Sequence, residues 1–244
     1  MDADGIDPYR WLIQPLAGPN PGPGLVVDVG CGSGPTADHM GGWVGVDPSR
    51  AELGEARSRG RGPVVAATAE RLPVASGSAT AVVGAMALMV VGDPAATLAE
   101  AARVLQVGGR LTVLLPAGGP LSVADRVRYG LLLGALGRTT MPFPHQDLGP
   151  RLGELARRAG LEVRSDDQAR FGYPMRDRAD GDRFVDSLYL PGISPRRIAL
   201  ARALTRRWGH GDLGIPLRRL VAVRAAEQER PSTRFTPEVT PPTR

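Results

Sequence analysis

The run LVVDVGCGSGPTA, from Leu25 to Ala37, constrains the fold more than any other part of the chain. A buried strand pattern leads into Gly30, Gly32 and Gly34 and stops at Pro35. Glycines so spaced allow a tight turn and a close approach of backbone to ligand. A dinucleotide fingerprint would need a third glycine where Pro35 stands, and a Walker loop would need Gly-Lys-Ser/Thr. The chain has no lysine, since all 30 of its basic residues are arginine. Both phosphate-binding readings therefore fail.

Downstream, short apolar runs alternate with amphipathic helical patterns. The predicted strands are LVVDV, WVGV, VVAA, TAVVGA and RLTVLL, followed by LEVRSDDQARF and IPLRRLVAVRA. Such βαβ alternation predicts an α/β fold with a mostly parallel sheet and helices on both faces. A helix is expected from Asp93 to Gln106, capped by Asp93 and stopped by Gly108-Gly109, and another from Asp147 to Ala159. SPRRIALARALTRRW reads as a further helix with Ser194 as its cap. The segment containing Tyr9 and Trp11 reads as an amphipathic N-terminal helix packed on the core, or as a flap over the ligand.

The 244 residues suit one α/β domain with an ample core. No segment reaches the ~20 unbroken apolar residues of a membrane span, and the acidic N-terminus lacks the order of a signal peptide. Cys31 is the single cysteine, which excludes an intrachain disulfide and a cysteine metal cluster. These features lead to the expectation of a cytoplasmic protein. The formal net charge of +5 comes from arginines interspersed with acids. A basic groove with stacking aromatics is not evident, so nucleic acid is not the expected partner.

VVDVGCGSG, then VGVDPS, then ATAERLPVASGSATAVVGAMALMVVGDPAATLAEAARVLQVGGRL, resembles the class I S-adenosylmethionine-dependent methyltransferases in motif order. PHQDLGPRLGELARRAGLEV extends the likeness more weakly, so that Gly24 to Val163 is covered. The branch it looks most like is the small-molecule group of methyltransferase domain type 11, related to ubiquinone and menaquinone C-methyltransferases. The resemblance implies a Rossmann-like class I methyltransferase fold with a seven-stranded sheet. It also implies S-adenosyl-L-methionine as cofactor and a cofactor site drawn from Asp28, Gly30, Cys31, Gly32, Asp47, Pro48, Thr68, Ala69, Glu70, Gly84 and Ala85. Asp47 would take the ribose hydroxyls, and the Ala69 amide would face the adenine. Thr68 stands where the family has an Asp for the adenine amine. Leu88-Met89-Val90-Val91 replaces the family's more polar LHHV.

One methyltransferase domain is expected over 1–226, with an N-terminal cap (1–23) and a cofactor-binding core (24–115). Substrate-covering inserts are expected at 116–144 and 174–211, and a disordered tail at 227–244. His145 is the candidate general base. No metal is expected. The substrate would be a small, mainly apolar organic molecule, and the assembly a monomer or homodimer. A non-methylating cofactor-binding member of the fold, either an accessory protein or an enzyme of another reaction type, is the alternative. An RNA methyltransferase using the Arg-rich insert is a third reading.

Overall fold

The computed structural model describes residues 1, 5–17, 24–209 and 211–226. The expected tail at 227–244 lies outside them. Elements run in the order α1 (Pro8–Ile13), β1 (Leu25–Val29), β2 (Trp43–Asp47), α2 (Arg50–Ser58), β3 (Val64–Ala66), β4 (Ala79–Ala85) and α3 (Pro94–Val104). Then come β5 (Leu105–Pro116), α4 (Val123–Leu136), α5 (Leu148–Arg158), β6 (Leu161–Met175), α6 (Arg178–Asp186), α7 (Pro195–Thr205) and β7 (Gly211–Arg224).

The strands form one seven-stranded sheet in the order β3-β2-β1-β4-β5-β7-β6. Pairing is parallel from β3 through β5. β7 inserts antiparallel between β5 and β6. Strand alternation places helices on both faces. Leu111, Val113 and Leu115 of β5 join a core with Leu98 and Ala101 of α3 and Leu152 of α5. Leu114 instead packs with Trp11 and Leu12 of α1, along with Phe171 and Leu217. The N-terminal helix is therefore a packed element of the second face. Trp11 lies 5.4 Å from the Phe171 ring, and the Arg219 guanidinium stacks over it at 4.3 Å.

Two expectations change. The α3 helix ends at Val104, because β5 begins at once with Leu105 paired to Ala79. Gly108 and Gly109 lie inside that strand, at a break in its register between Leu105 and Arg110. The sequence after the glycine loop leads to the expectation of a short first helix from Pro35 to Met40, whereas Pro35–His39 is a 3₁₀ turn.

The expected inserts at 116–144 and 174–211 contain the helices α4, α6 and α7. α4 begins with a capping box in which Ser122 and Asp125 satisfy each other's backbone. The Asp125 carboxylate is buried and also binds Arg170 and the Gly214 N–H. α4, α6 and α7 share a satellite core built on Leu132, Leu136, Phe184, Val185, Ala201 and Trp208.

Candidate functional site

In open α/β sheets, ligands bind outside the carboxyl ends of the strands, where the strand order reverses. Here that reversal falls between β1 and β4. A cleft of about 590 Å³ opens at this place. Its lining comes from the C-terminal ends of four successive parallel strands: Gly30 after β1, Asp47-Pro48 at β2, Thr68–Glu70 after β3, and Met86-Ala87 after β4. Val90, Val91, Gly92 and Asp93, leading into α3, close the remaining side.

The glycine loop is shaped for this approach. Gly30 sits at φ +67°, and a Cβ there would come within 2.5 Å of the Ala87 side chain. Its N–H and that of Cys31 both donate to the Val46 carbonyl, which ties the loop to β2. Asp47, 9% exposed, fixes the loop from the other direction. Its Oδ2 accepts from the Gly32 N–H at 2.9 Å and its Oδ1 from the Ser49 N–H at 2.8 Å. An ionised carboxylate has about four acceptor positions. Each oxygen of Asp47 thus keeps acceptor capacity toward the cleft, enough for a pair of hydroxyl donors.

The opposite lip is held by α3. Glu100 Oε1 accepts from the Leu72 N–H at 2.7 Å, and Arg103 Nη2 donates to the Leu72 and Val74 carbonyls. Glu70 Oε1 accepts from the Asp93 N–H at 3.1 Å, joining the 68–70 turn to the start of α3. Met86 takes φ +60°, the left-handed region that non-glycine residues seldom adopt. Such strain, worth roughly 1–3 kcal/mol, persists where the surroundings over-determine it.

Of the eleven cofactor positions expected from sequence, six line the cleft: Gly30, Asp47, Pro48, Thr68, Ala69 and Glu70. The others lie around it. Gly32 binds Asp47 through its amide. Cys31 is buried with Trp43, Leu53 and Ala56, and burial pushes its thiol up to about 12. Gly84 and Ala85 end β4, and the wall itself is formed by the next two residues, Met86 and Ala87.

Asp28 is 1% exposed and faces inward. Its Oδ2 accepts from the Thr36 hydroxyl and, at 3.2 Å, from Trp43 Nε1. Its Oδ1 has no hydrogen-bond partner among the described residues. Burial raises this carboxyl to about 6, against the opposing pull of the Thr36 and Trp43 hydrogen bonds.

A second cavity, of about 420 Å³, lies beyond the turn that follows β4. Met89, Leu115, Pro116, Met141, Phe143 and His145 are among its lining residues. His145 bridges the two spaces rather than entering the first. Its N–H donates to the Met89 carbonyl at 3.3 Å, and its Nε2–H donates to the Val91 carbonyl at 2.8 Å. The 116–144 insert contributes to this cavity, and the 174–211 insert reaches it indirectly, through Tyr189 stacked on Phe143 at 6.4 Å. The described residues contain no cluster of three or more candidate metal ligands and no helix long and apolar enough to cross a membrane.

Sheet order, glycine loop and cleft together define the class I S-adenosylmethionine-dependent methyltransferase fold. Residues 27–113 match the family described as methyltransferase domain. An uncharacterized protein of Mycobacterium tuberculosis, Rv2003c, is 40% identical over 119 residues, covering 48% of this chain and 39% of that one. The chain thus matches about two-fifths of the length of its curated relatives, among which the Mycobacterium bovis protein Mb2026c shows the same figures. Among solved structures, a SAM-dependent methyltransferase of Thermotoga maritima is 21% identical with a TM-score of 0.54, covering 88% of this chain and 87% of its own. Geranyl diphosphate methyltransferase in complex with SAM is 18% identical with a TM-score of 0.51, covering 89% and 84%. The [4+2]-cyclase SpnF is 25% identical with a TM-score of 0.50, covering 83% and 76%.

Proposed function

We propose that this protein is an S-adenosylmethionine-dependent methyltransferase acting on a small, mainly apolar organic molecule. The observation that carries the reading is the cleft at the β1/β4 reversal, with Asp47 at one end and the Thr68–Glu70 turn at the other. Asp47 would hold the ribose hydroxyls, the Ala69 amide would meet the adenine ring, and the Gly30–Gly32 backbone would face the methionine part. When bound, the cofactor supplies an electrophilic sulfonium methyl. The protein's task is then alignment and exclusion of water. Met86, Ala87, Val90 and Val91 give the cleft an apolar wall, and holding two reactants in line is worth up to roughly 7–11 kcal/mol of barrier.

The second cavity is the acceptor site in this reading. Its lining is more apolar than polar, with Met89, Leu115, Met141 and Phe143 set against the polar or charged Thr140, His145, Gln146, Gln168 and Arg218. Small-molecule sites typically have this composition. His145 Nε2–H is committed to the Val91 carbonyl, so any proton acceptance would fall to Nδ1. Its main part is to set the Met89–Val91 turn between cofactor and acceptor. The inserts at 116–144 and 174–211 would cover the acceptor, with Phe143 and Tyr189 as the stacked contact.

One observation favours a second reading. The chain is 25% identical to a [4+2]-cyclase of the same fold, and fold alone does not fix the reaction. Release of S-adenosylhomocysteine from S-adenosylmethionine, measured across apolar phenols, quinones and polyketide-like acceptors, separates the two. Acceptor-dependent release supports methyl transfer. Cofactor binding without release on any acceptor, but with conversion of an unsaturated substrate, supports the cyclase-like reading.

A further inference from the structure

α4 and α7 lie side by side and antiparallel over the satellite core. The Arg197 guanidinium, from the first turn of α7, fills the space that a Cβ on Gly137 would take at the C-terminal end of α4. At the other end, Arg128 of α4 stacks 6.0 Å over Trp208, just past α7. Leu132 and Leu136 of α4 and Ala201 of α7 turn inward. With 3.6 residues per turn, the outer stripe of α4 is then Val123, Val127 and Leu131, and that of α7 is Arg196, Leu200, Ala203 and Arg207. Arg128 and Arg197 mark the flank on which each helix meets the other, so the two stripes border the same outer seam. Val127, Leu131 and Leu200 are each more than half exposed. Arg196 and Arg207 at the ends of α7, and Arg138 just beyond α4, are exposed and have no carboxylate partner among the described residues. Arg202 and Arg206, on the α6 side of α7, are instead paired with Asp186 and Asp182.

The outer face is thus an apolar strip bounded at both ends by uncompensated positive charge. Contiguous exposed apolar patches with a polar rim mark interaction sites, and the charge selects the partner. A second copy laid on this face about a two-fold axis would bring arginines against arginines, because both ends are basic. We propose that this face docks on an anionic lipid bilayer. α4 and α7 lie flat on it, with Val127, Leu131 and Leu200 at the acyl boundary and Arg138, Arg196 and Arg207 on the lipid phosphates. Surface-bound helices combine these residue types in this way, and the long arginine stem lets a guanidinium stay at the headgroups while its apolar neighbours sink. The same inserts hold the Phe143–Tyr189 stack at the second cavity. Where that cavity takes the acceptor, docking sets it beside a bilayer in which an apolar acceptor dissolves.

Flotation of the purified full chain with lipid vesicles, without cofactor or acceptor, tests the proposal. Vesicles of phosphatidylcholine containing one-third phosphatidylglycerol should bind the protein about a hundredfold more tightly than phosphatidylcholine alone, and added salt should weaken the binding. Arg196→Gln with Arg207→Gln should lose about fivefold per arginine on the charged vesicles. Leu131→Ser with Leu200→Ser should lose about tenfold there while leaving every arginine in place. All four side chains are exposed, and circular dichroism checks that both variants fold. Equal binding to charged and neutral vesicles overturns the proposal, as does wild-type binding by either double variant. A wild-type dimer in sedimentation that Leu131→Ser with Leu200→Ser converts to monomer also overturns it, assigning the face to a second copy. Because neither cofactor nor acceptor is present, failure here leaves the methyltransferase reading standing, and failure of S-adenosylhomocysteine release leaves this one standing.

Discussion

Replacing Asp28 by asparagine should change how stability depends on pH more than it changes stability at any one acidic pH. The carboxyl is buried, two donors share its Oδ2, and Oδ1 has no partner among the described residues. Its folded value of about 6 stands above the ordinary 3.8, with burial the largest cause. Between these values the native state holds a proton that the unfolded chain releases. Stability therefore falls as pH rises from about 4 to about 6, and the loss then stays constant. The difference corresponds to about 3 kcal/mol. Asparagine imitates the neutral acid, keeping an acceptor for Thr36 and Trp43 without the charge. The stability of Asp28→Asn relative to wild type should thus improve by about 3 kcal/mol between pH 3.5 and pH 7.5. Urea unfolding of both proteins across that range measures it, and titrating groups remote from Asp28 cancel in the difference. A gap that stays constant within about 0.5 kcal/mol would mean that the carboxyl is not held in the buried, half-satisfied state described.

His145→Phe keeps a ring in place but removes the bond to the Val91 carbonyl. It should cost about 1 kcal/mol of stability and slow turnover without removing a limb of the pH–rate profile. Loss of a limb would make His145 the proton acceptor instead. Tyr189→Ala removes a partly exposed ring stacked on Phe143. It should cost about 1 kcal/mol and raise KM for the acceptor while S-adenosylmethionine affinity is unchanged. An unaltered KM would show that the 174–211 insert does not serve the acceptor site.

The parallel half of the sheet was legible because buried parallel strands are continuous apolar runs, and β1 coincides with LVVDV. The glycine loop and Asp47 were legible for the same reason: each directly follows or ends such a run. The inserts were harder. α4 carries exposed Val123, Val127 and Leu131 on its outer face, which blurs the amphipathic period, although the Ser122/Asp125 capping pair was present in the sequence as its start signal. β6 and β7 run on to Met175 and back to Gly211 because they pair with each other along their whole length. Pairing of that kind is a long-range fact that no local pattern carries. Within the site, the partners of Asp28 come from Thr36 and from Trp43 on the next strand. Spacing alone could suggest a loop-holding acid but not which groups it binds. Met86 and Ala87, which line the cleft, stand outside the positions expected from sequence because the turn after β4 depends on the left-handed backbone at Met86, a conformation that methionine does not announce.

Asp47 carries the central claim, since the ribose assignment joins the glycine loop to the cleft. Calorimetric titration of the full chain with S-adenosylmethionine, beside Asp47→Asn, tests it most directly. The account predicts one site per chain and binding weaker by about 1–3 kcal/mol in the variant, the cost of losing a charged hydrogen-bond partner. Wild-type affinity in a folded Asp47→Asn protein, or no binding by the wild type at saturating cofactor, would contradict it.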